Sequence, residues 1–380
     1  MKAIGLLKVA MLSVIAAAIP SALANEADDS NTDSGLPRGS GAVFTLSNSK
    51  AGNEVLAFHR NADGRLQRAG TFPTGGRGSS DGLGSQGALV LSADGELLFA
   101  VDAGSNEISS FAVHGTRLRQ VGHLSSGGER PISLTVQNDL LYVLNAGGDG
   151  NITGFSVSDE GALIPLEGST RPLSGKAVQP AQVQFTPDGE RLIVTEKGTN
   201  QIDIYEVNDD GRTDGPDVKP SSGETPFGFE FGRRGVLVVS EAFGGAPGAG
   251  AVSSYRLNDA ADLAVVSPSA PDFQAAPCWV AITADGRTAF ITNTGNGTIS
   301  AYHINRDGSL ELLNNNGVAA STGEGSMPID MALSRRSRFL YALDSGTGAI
   351  SAFRVLPAGG LDQLRGVSRL PPHAVGLAAR

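Results

Sequence analysis

The sequence predicts an all-β fold, a seven-bladed β-propeller of four-stranded blades whose ring is closed by the C-terminal strand pairing into the first blade. Three observations carry this. Glycine makes up 51 of 380 residues, roughly twice ordinary usage of about 7% and without a collagen-like period, which calls for many tight turns. A unit of variable length, headed by Gln86, Pro131, Pro180, Pro226, Pro277, Pro328 and Pro372, recurs at spacings of 45, 49, 46, 51, 51 and 44 residues. Within each unit the apolar residues alternate at period two, and helical periodicity is absent beyond the first residues.

The chain opens with MKAIGLLKVAMLSVIAAAIPSALA. Lys2 and Lys8 precede an apolar run, Val9 to Ile19, and Ala22-Leu23-Ala24 is a small-x-small cleavage site, so residues 1–24 read as a signal peptide. The run is too short to span a bilayer comfortably. Residues 25–40, NEADDSNTDSGLPRGS, are acidic, have almost nothing to bury and read as a flexible tether. The propeller is expected over 41–380. Export to the periplasm or the extracellular space follows from the leader, with no membrane span.

Each unit then builds a blade. An alternating run meets an Asp-Gly-like turn, a second apolar run, a Gly/Asn loop and a third run such as Ile299-Ser300-Ala301-Tyr302. A second turn, for example Asp210-Gly211 or Asp307-Gly308, leads to a less regular fourth run. The first unit, from Gly41, lacks its inner strand. Pro372-His373-Ala374-Val375 superposes on Pro180-Ala181-Gln182-Val183 and supplies it, hiding both sheet edges.

Composition narrows the function classes. The net charge is −10, and removing Lys2 and Lys8 with the leader leaves −12, so an acidic surface argues against nucleic acid as a partner. Cys278 is the only cysteine, which excludes an internal disulfide and a cysteine zinc site. No cofactor and no metal site is indicated, although a divalent cation at a carboxylate rim is left open. A monomer is expected.

The blade frame places the ends of the second strands on one rim: Asp102, Asn145, Glu196, Glu241, Asn293 and Asp344. Asn and Asp there have a structural reading, capping loop amides. Glu is a poorer turn former, so Glu196 and Glu241 are the candidate catalytic pair, acid and base on adjacent blades. Gln86, Arg130, Gln182, Trp279, Asp330 and His373 begin or precede inner strands and border the channel mouth. Of the rim and mouth residues, Gln86, Arg130, Gln182, Trp279, Asp102 and Asn293 are the candidate ligand-binding set. Trp279 either stacks on a ligand or plugs the channel. Cys278 has the structural reading of a small buried hydrophobe, and Phe227, Phe229 and Phe231 that of sheet packing.

Segments such as VQFTPDGERLIVTEKGTNQI and LVLSADGELLFAVDAGSNEI resemble the lactonase-type seven-bladed propeller family, which includes phosphogluconolactonases and carboxymuconate-lactonising enzymes. The resemblance covers Gly41 to Arg380. TPFGFEF and VVSEAFGGAPGAGAVSSYRL are similar to a secreted bacterial branch. It implies opening or closing of a lactone without a cofactor. Family members carry Pro-Arg-His at the start of one inner strand and Asn-Glu at the end of the next strand. The frame here is Pro180-Ala181-Gln182 and Thr195-Glu196, so the Glu is kept and the Arg-His pair is not. The expected function is therefore hydrolysis or binding of a small lactone or sugar-derived ligand at the channel mouth. The alternative is a non-catalytic scaffold for a protein or envelope polymer. An enzyme predicts a polar pocket with both glutamates facing one ligand; a scaffold predicts a plugged channel and an apolar patch on a rim.

Overall fold

In the computed structural model the described residues are 38–258 and 262–380. The leader and most of the tether lie outside them. No helix among the described residues is long and apolar enough to cross a membrane.

Seven antiparallel sheets form the blades. Blade 4 shows the plan, with strands Pro180–Phe185, Arg191–Glu196, Gln201–Val207 and Thr213–Pro220 in spatial order. Its second strand, RLIVTE, is buried at every position, because each face of the sheet packs on a neighbouring blade and neither face meets water. The outer strand is mostly exposed, with Thr213 buried and Pro216 and Lys219 half-buried. In blades 3 and 6 the outer strand is split into two short pieces, Leu163–Pro165 with Arg171–Pro172 and Leu310–Leu312 with Ala320–Ser321.

The lower hairpins between first and second strands explain the recurrent Asp-Gly. Asp188 accepts hydrogen bonds from the Thr186 hydroxyl (2.6 Å) and the Glu190 amide (3.1 Å), and Asp94 and Asp285 repeat this with Ser92 and Thr283. These bonds favour the ionised form and lower all three carboxyls below their ordinary range, against the opposing pull of burial. Between the blades sit Tyr142, Tyr205, Tyr255, Tyr302 and Tyr341, all fully buried. Four of the hydroxyls donate to a backbone carbonyl 2.8–2.9 Å away, at Gly211, Pro172, Ala270 and Gly64; that of Tyr255 accepts from the Ser222 amide at 2.8 Å. An aromatic body and a satisfied polar tip suit an interface between sheets.

Blade 1 combines Gly41–Leu46, Glu54–Arg60 and Leu66–Pro73 with Val375–Ala379 as its innermost strand. The ring closure is as expected, but its register is not. Leu377 pairs with Thr45 across a bulge at Gly376 (φ +70°), the place that Val183 holds opposite Val194 in blade 4. The closing strand therefore sits two residues later than an alignment on Pro372 predicts. Every other inner strand with a proline anchor is entered through a left-handed residue, namely Arg130, Gln179, Thr225, Ala276 and Met327, and His373 takes that conformation here. The backbone turn rather than the proline sets the register.

Candidate functional site: the central channel

Each inner strand turns its free edge to the channel, so its amides and carbonyls need partners. Two of the expected ligand-binding residues meet that need. The Gln182 side chain accepts from the Phe229 amide (2.8 Å) and donates to the Phe229 carbonyl (3.0 Å), pairing with blade 5 as a strand would. Gln86 does the same across the channel, accepting from the Val280 amide (3.0 Å) and donating to its carbonyl (2.8 Å). Ser133 and Thr135 accept from the Val183 and Phe185 amides, each at 3.1 Å.

The glycine-rich connection into blade 2 closes the upper end of the channel. Over Gly82–Gln86 it forms a strap. The Gly82 carbonyl accepts from Arg130 (3.2 Å), that of Gly84 from the Lys197 ammonium, and that of Ser85 from the Trp279 indole (2.9 Å). Phe227 packs on Trp279 with ring centroids 4.9 Å apart, and the Lys197 ammonium lies 4.6 Å from the Phe227 centroid, a cation–π geometry. Burial lowers Lys197 to about 8. Arg130 is exposed and Trp279 buried, so Trp279 takes the plugging arrangement. Cys278, beside it, is pushed up to about 12 by burial.

Below the strap lies a cavity of about 450 Å³. Gln86, Gln182, Gln184, Glu230 and Asp330 stand in its polar wall, and Ser334 and Arg335 at its lower rim. Glu230 accepts from Gln184 (2.7 Å) and from the Phe231 amide (2.9 Å), and Gln182 donates to Gln184 (2.8 Å). Burial raises the Glu230 carboxyl above its ordinary range. Asp330, 3% exposed, accepts from the Met331 amide (2.7 Å), and burial pushes it up to about 8.

The expected catalytic pair is not in this cavity. Glu196 and Glu241 have no solvent exposure, and each is enclosed in its own blade. Glu241 accepts from the Gly223 amide (2.9 Å), Ser253 (2.5 Å) and Ser269 (2.7 Å), and burial raises it. Glu196 accepts from the Ser174 amide (3.0 Å) and hydroxyl (2.5 Å) and from Thr199 (2.6 Å). Asp102 and Asn293 are likewise buried and follow the loop-holding reading. Asp102 accepts from Asn53 (2.9 Å), Thr74 (2.6 Å) and Ser109 (2.7 Å), and Asn293 pairs with Ser300 (2.8 Å) and Thr298 (3.1 Å). A polar group at the end of a buried strand points along the blade to the loop above it, not sideways into the lumen. His373, also expected at the channel, is exposed in a turn. Among the described residues no three His, Cys, Asp or Glu side chains converge as a metal site.

Sequence reasoning missed Glu230, Gln184 and Lys197. The signal for Glu230 was present: an acidic residue inside Pro226–Phe231, PFGFEF, a strand otherwise built of apolar residues and glycine.

The sequence matches the family described as "Lactonase, 7-bladed beta-propeller" over residues 50–175 and 238–375. The unmatched stretch, 176–237, contains all four strands of blade 4, with Gln182, Glu196 and Lys197, and the inner strand of blade 5 with Glu230; it is where the Arg-His pair is missing. The 6-phosphogluconolactonase of Bacillus subtilis (strain 168) is 22% identical over 293 residues, 71% of this chain and 80% of that protein. The solved periplasmic gluconolactonase of Pseudomonas aeruginosa superposes with a TM-score of 0.68 at 17% identity, covering 88% of this chain and 98% of that one. A protein from Lactobacillus plantarum superposes with a TM-score of 0.72 at 18% identity, covering 89% and 98%. With the seven-sheet ring and the family match over more than half its length, the chain belongs to the lactonase seven-bladed β-propeller family.

Proposed function

We propose that this propeller is an exported hydrolase of a small, unphosphorylated sugar-derived lactone, which it binds in the central channel. The observation that carries the reading is the cavity itself: about 450 Å³ with amide donors and two carboxyls of raised proton affinity on one wall system. Asp330 holds its proton at neutral pH and serves as the acid. Glu230, whose proton affinity is raised by burial and whose carboxylate is oriented by Gln184 and the Phe231 amide, serves as the base. Water adds to the lactone carbonyl carbon as Glu230 takes a proton from it. The acyl carbon–oxygen bond then breaks as Asp330 protonates the ring oxygen, and the product is a hydroxy acid. Gln86, Arg130 and Trp279 serve this site by sealing its upper end, which leaves entry at the rim beside Arg335. Arg335 is the one cation among the described lining residues and stands at the entry rim, so the interior beside Glu230 offers no cation to hold a phosphate.

A pH-stat assay on residues 41–380, with gluconolactone and its phosphorylated form, tests this. Turnover of the unphosphorylated lactone is expected, with kcat lower by about 10²-fold or more in Glu230→Gln and Asp330→Asn. Wild-type rates in both variants, or no turnover of any lactone, overturn it. Export is checked separately: the N-terminus of protein recovered outside the cytoplasm should be Asn25.

One observation favours a second reading, a non-catalytic scaffold for a protein or envelope polymer. The upper channel is plugged by Trp279, Phe227 and the strap, and Phe273 and Met327 stand 55% and 50% exposed on loops of that side. This reading predicts a partner lost in Phe273→Ser/Met327→Ser and retained in Glu230→Gln.

A further inference from the structure

Blade 4 departs from a pattern that four other blades keep. In those blades the polar residue ending the second strand bonds a serine of the third strand: Asp102 with Ser109, Glu241 with Ser253, Asn293 with Ser300 and Asp344 with Ser351, at 2.5–2.8 Å. Each serine pairs in register with the residue two before the strand end, namely Ala100, Val239, Ile291 and Ala342. In blade 4 the residue at that register, opposite Val194, is Asp203. The partner of Glu196 is therefore a second carboxyl.

The two are close together and dry. Neither has solvent exposure. The Ser174 amide donates to both, 3.0 Å from Glu196 Oε1 and 3.1 Å from Asp203 Oδ2, and Asp203 Oδ1 is buried with no hydrogen-bond partner. The surrounding charges are engaged elsewhere. Lys176 faces Asp149 (3.1 Å), Arg171 faces Asp214 (3.9 Å), and Lys219 faces Asp217 (2.8 Å) and Asp262 (3.8 Å). Lys197 reaches the strap, and the Tyr205 hydroxyl, which faces Asp203, donates to the Pro172 carbonyl. Two adjacent carboxylates without a cation cannot both be ionised at low cost.

We propose that Glu196 and Asp203 share one proton, and that loss of this proton releases loop 173–179 and the strap above it, a pH-operated latch on the upper end of the channel. The connection is traceable bond by bond. Both carboxyls hold Ser174 at the start of the loop, and Thr199 fixes Glu196 to the following turn. The Lys197 and Gly198 amides donate to the Gln179 and Val178 carbonyls (3.1 and 2.8 Å), and Lys197 holds the strap at Gly84. Burial and the neighbouring Glu196 push Asp203 up to about 8, so the latch would release within an ordinary pH range. The inference does not depend on the reaction proposed above.

Trp279 is the only tryptophan in the chain and bonds the strap, so its fluorescence reports the closure directly. Acrylamide quenching of residues 41–380 is to be followed from pH 6 to 9.5, with circular dichroism at each pH to show that the chain stays folded. The wild type should become more quenchable with a midpoint near 8, and Asp203→Ser, which installs the residue of the other blades, should lose that transition. Asp203→Asn serves if the serine variant fails to fold. Lys197→Arg and Asp330→Asn separate the two other groups placed near 8: both variants should keep the transition. Retention of the transition in the Asp203 variants, or its loss in Lys197→Arg or Asp330→Asn instead, overturns the proposal. So does suppression by calcium ions, which would mean that a cation and not a proton occupies the pair.

Discussion

Asp330 illustrates what a single carboxyl costs in this fold. It lies on an inner strand with 3% of its surface exposed and a folded proton affinity near 8, against about 3.9 in an unfolded chain. A raised affinity favours the folded state while the proton is bound. Its contribution is fully present below about pH 4 and is lost as pH rises to 8. Asp330→Asn should therefore flatten the pH dependence and stabilise the protein at pH 8 by up to about 5 kcal/mol. Denaturant titrations at pH 5 and 8 check this; a variant with the wild-type slope contradicts it. At this scale the sequence was only partly legible. Gln86 was readable as a channel residue from its place as an anchor, and Asp330 and Gln182 from theirs two residues after one. The burial of Glu196 and Glu241 was not, because it depends on Ser174, Thr199, Ser253 and Ser269, which arrive from other strands and loops.

The element that organises the channel is the inner strand with its exposed edge. A polar side chain next to such an edge has a structural task before any ligand arrives, and Gln182 fulfils it with both ends of one amide. Gln182→Ala leaves the buried Phe229 amide and carbonyl unpaired, an expected loss of about 1–3 kcal/mol for each group. Gln182→Glu keeps the acceptor and places an anion against the Phe229 carbonyl, so it should be as damaging. Thermal unfolding of both variants checks this, and melting at the wild-type temperature would sink it. The strap is the other element that pattern reading left undefined. Its glycines were visible as a turn-rich run, but its path across the channel is set by Lys197, Arg130 and Trp279, residues distant in sequence.

The whole molecule is a ring whose order was readable almost completely, since seven anchors and the truncated first unit require a composite blade. The one shift, of two residues in the closing strand, arose because its left-handed entry residue is His373 rather than the residue before Pro372. Because Val375–Ala379 covers the free edge of Gly41–Leu46, removing residues 370–380 should expose that edge and an adjacent blade face together. The truncated chain is expected to aggregate or to unfold without a cooperative transition. A sharp melting curve from a soluble truncated monomer would contradict the closure argument.

That seam also fixes how the ring responds to force. Gly41 begins one strand of the antiparallel pair and Arg380 follows the end of the other, with the Arg380 amide bonded to the Ala42 carbonyl at 2.9 Å. Tension applied to the two ends of the propeller therefore acts at the same end of the ladder and perpendicular to it. It loads one hydrogen bond at a time instead of shearing all of them together. Pulled from its ends, the ring opens like a zipper at blade 1 before any other blade bears load.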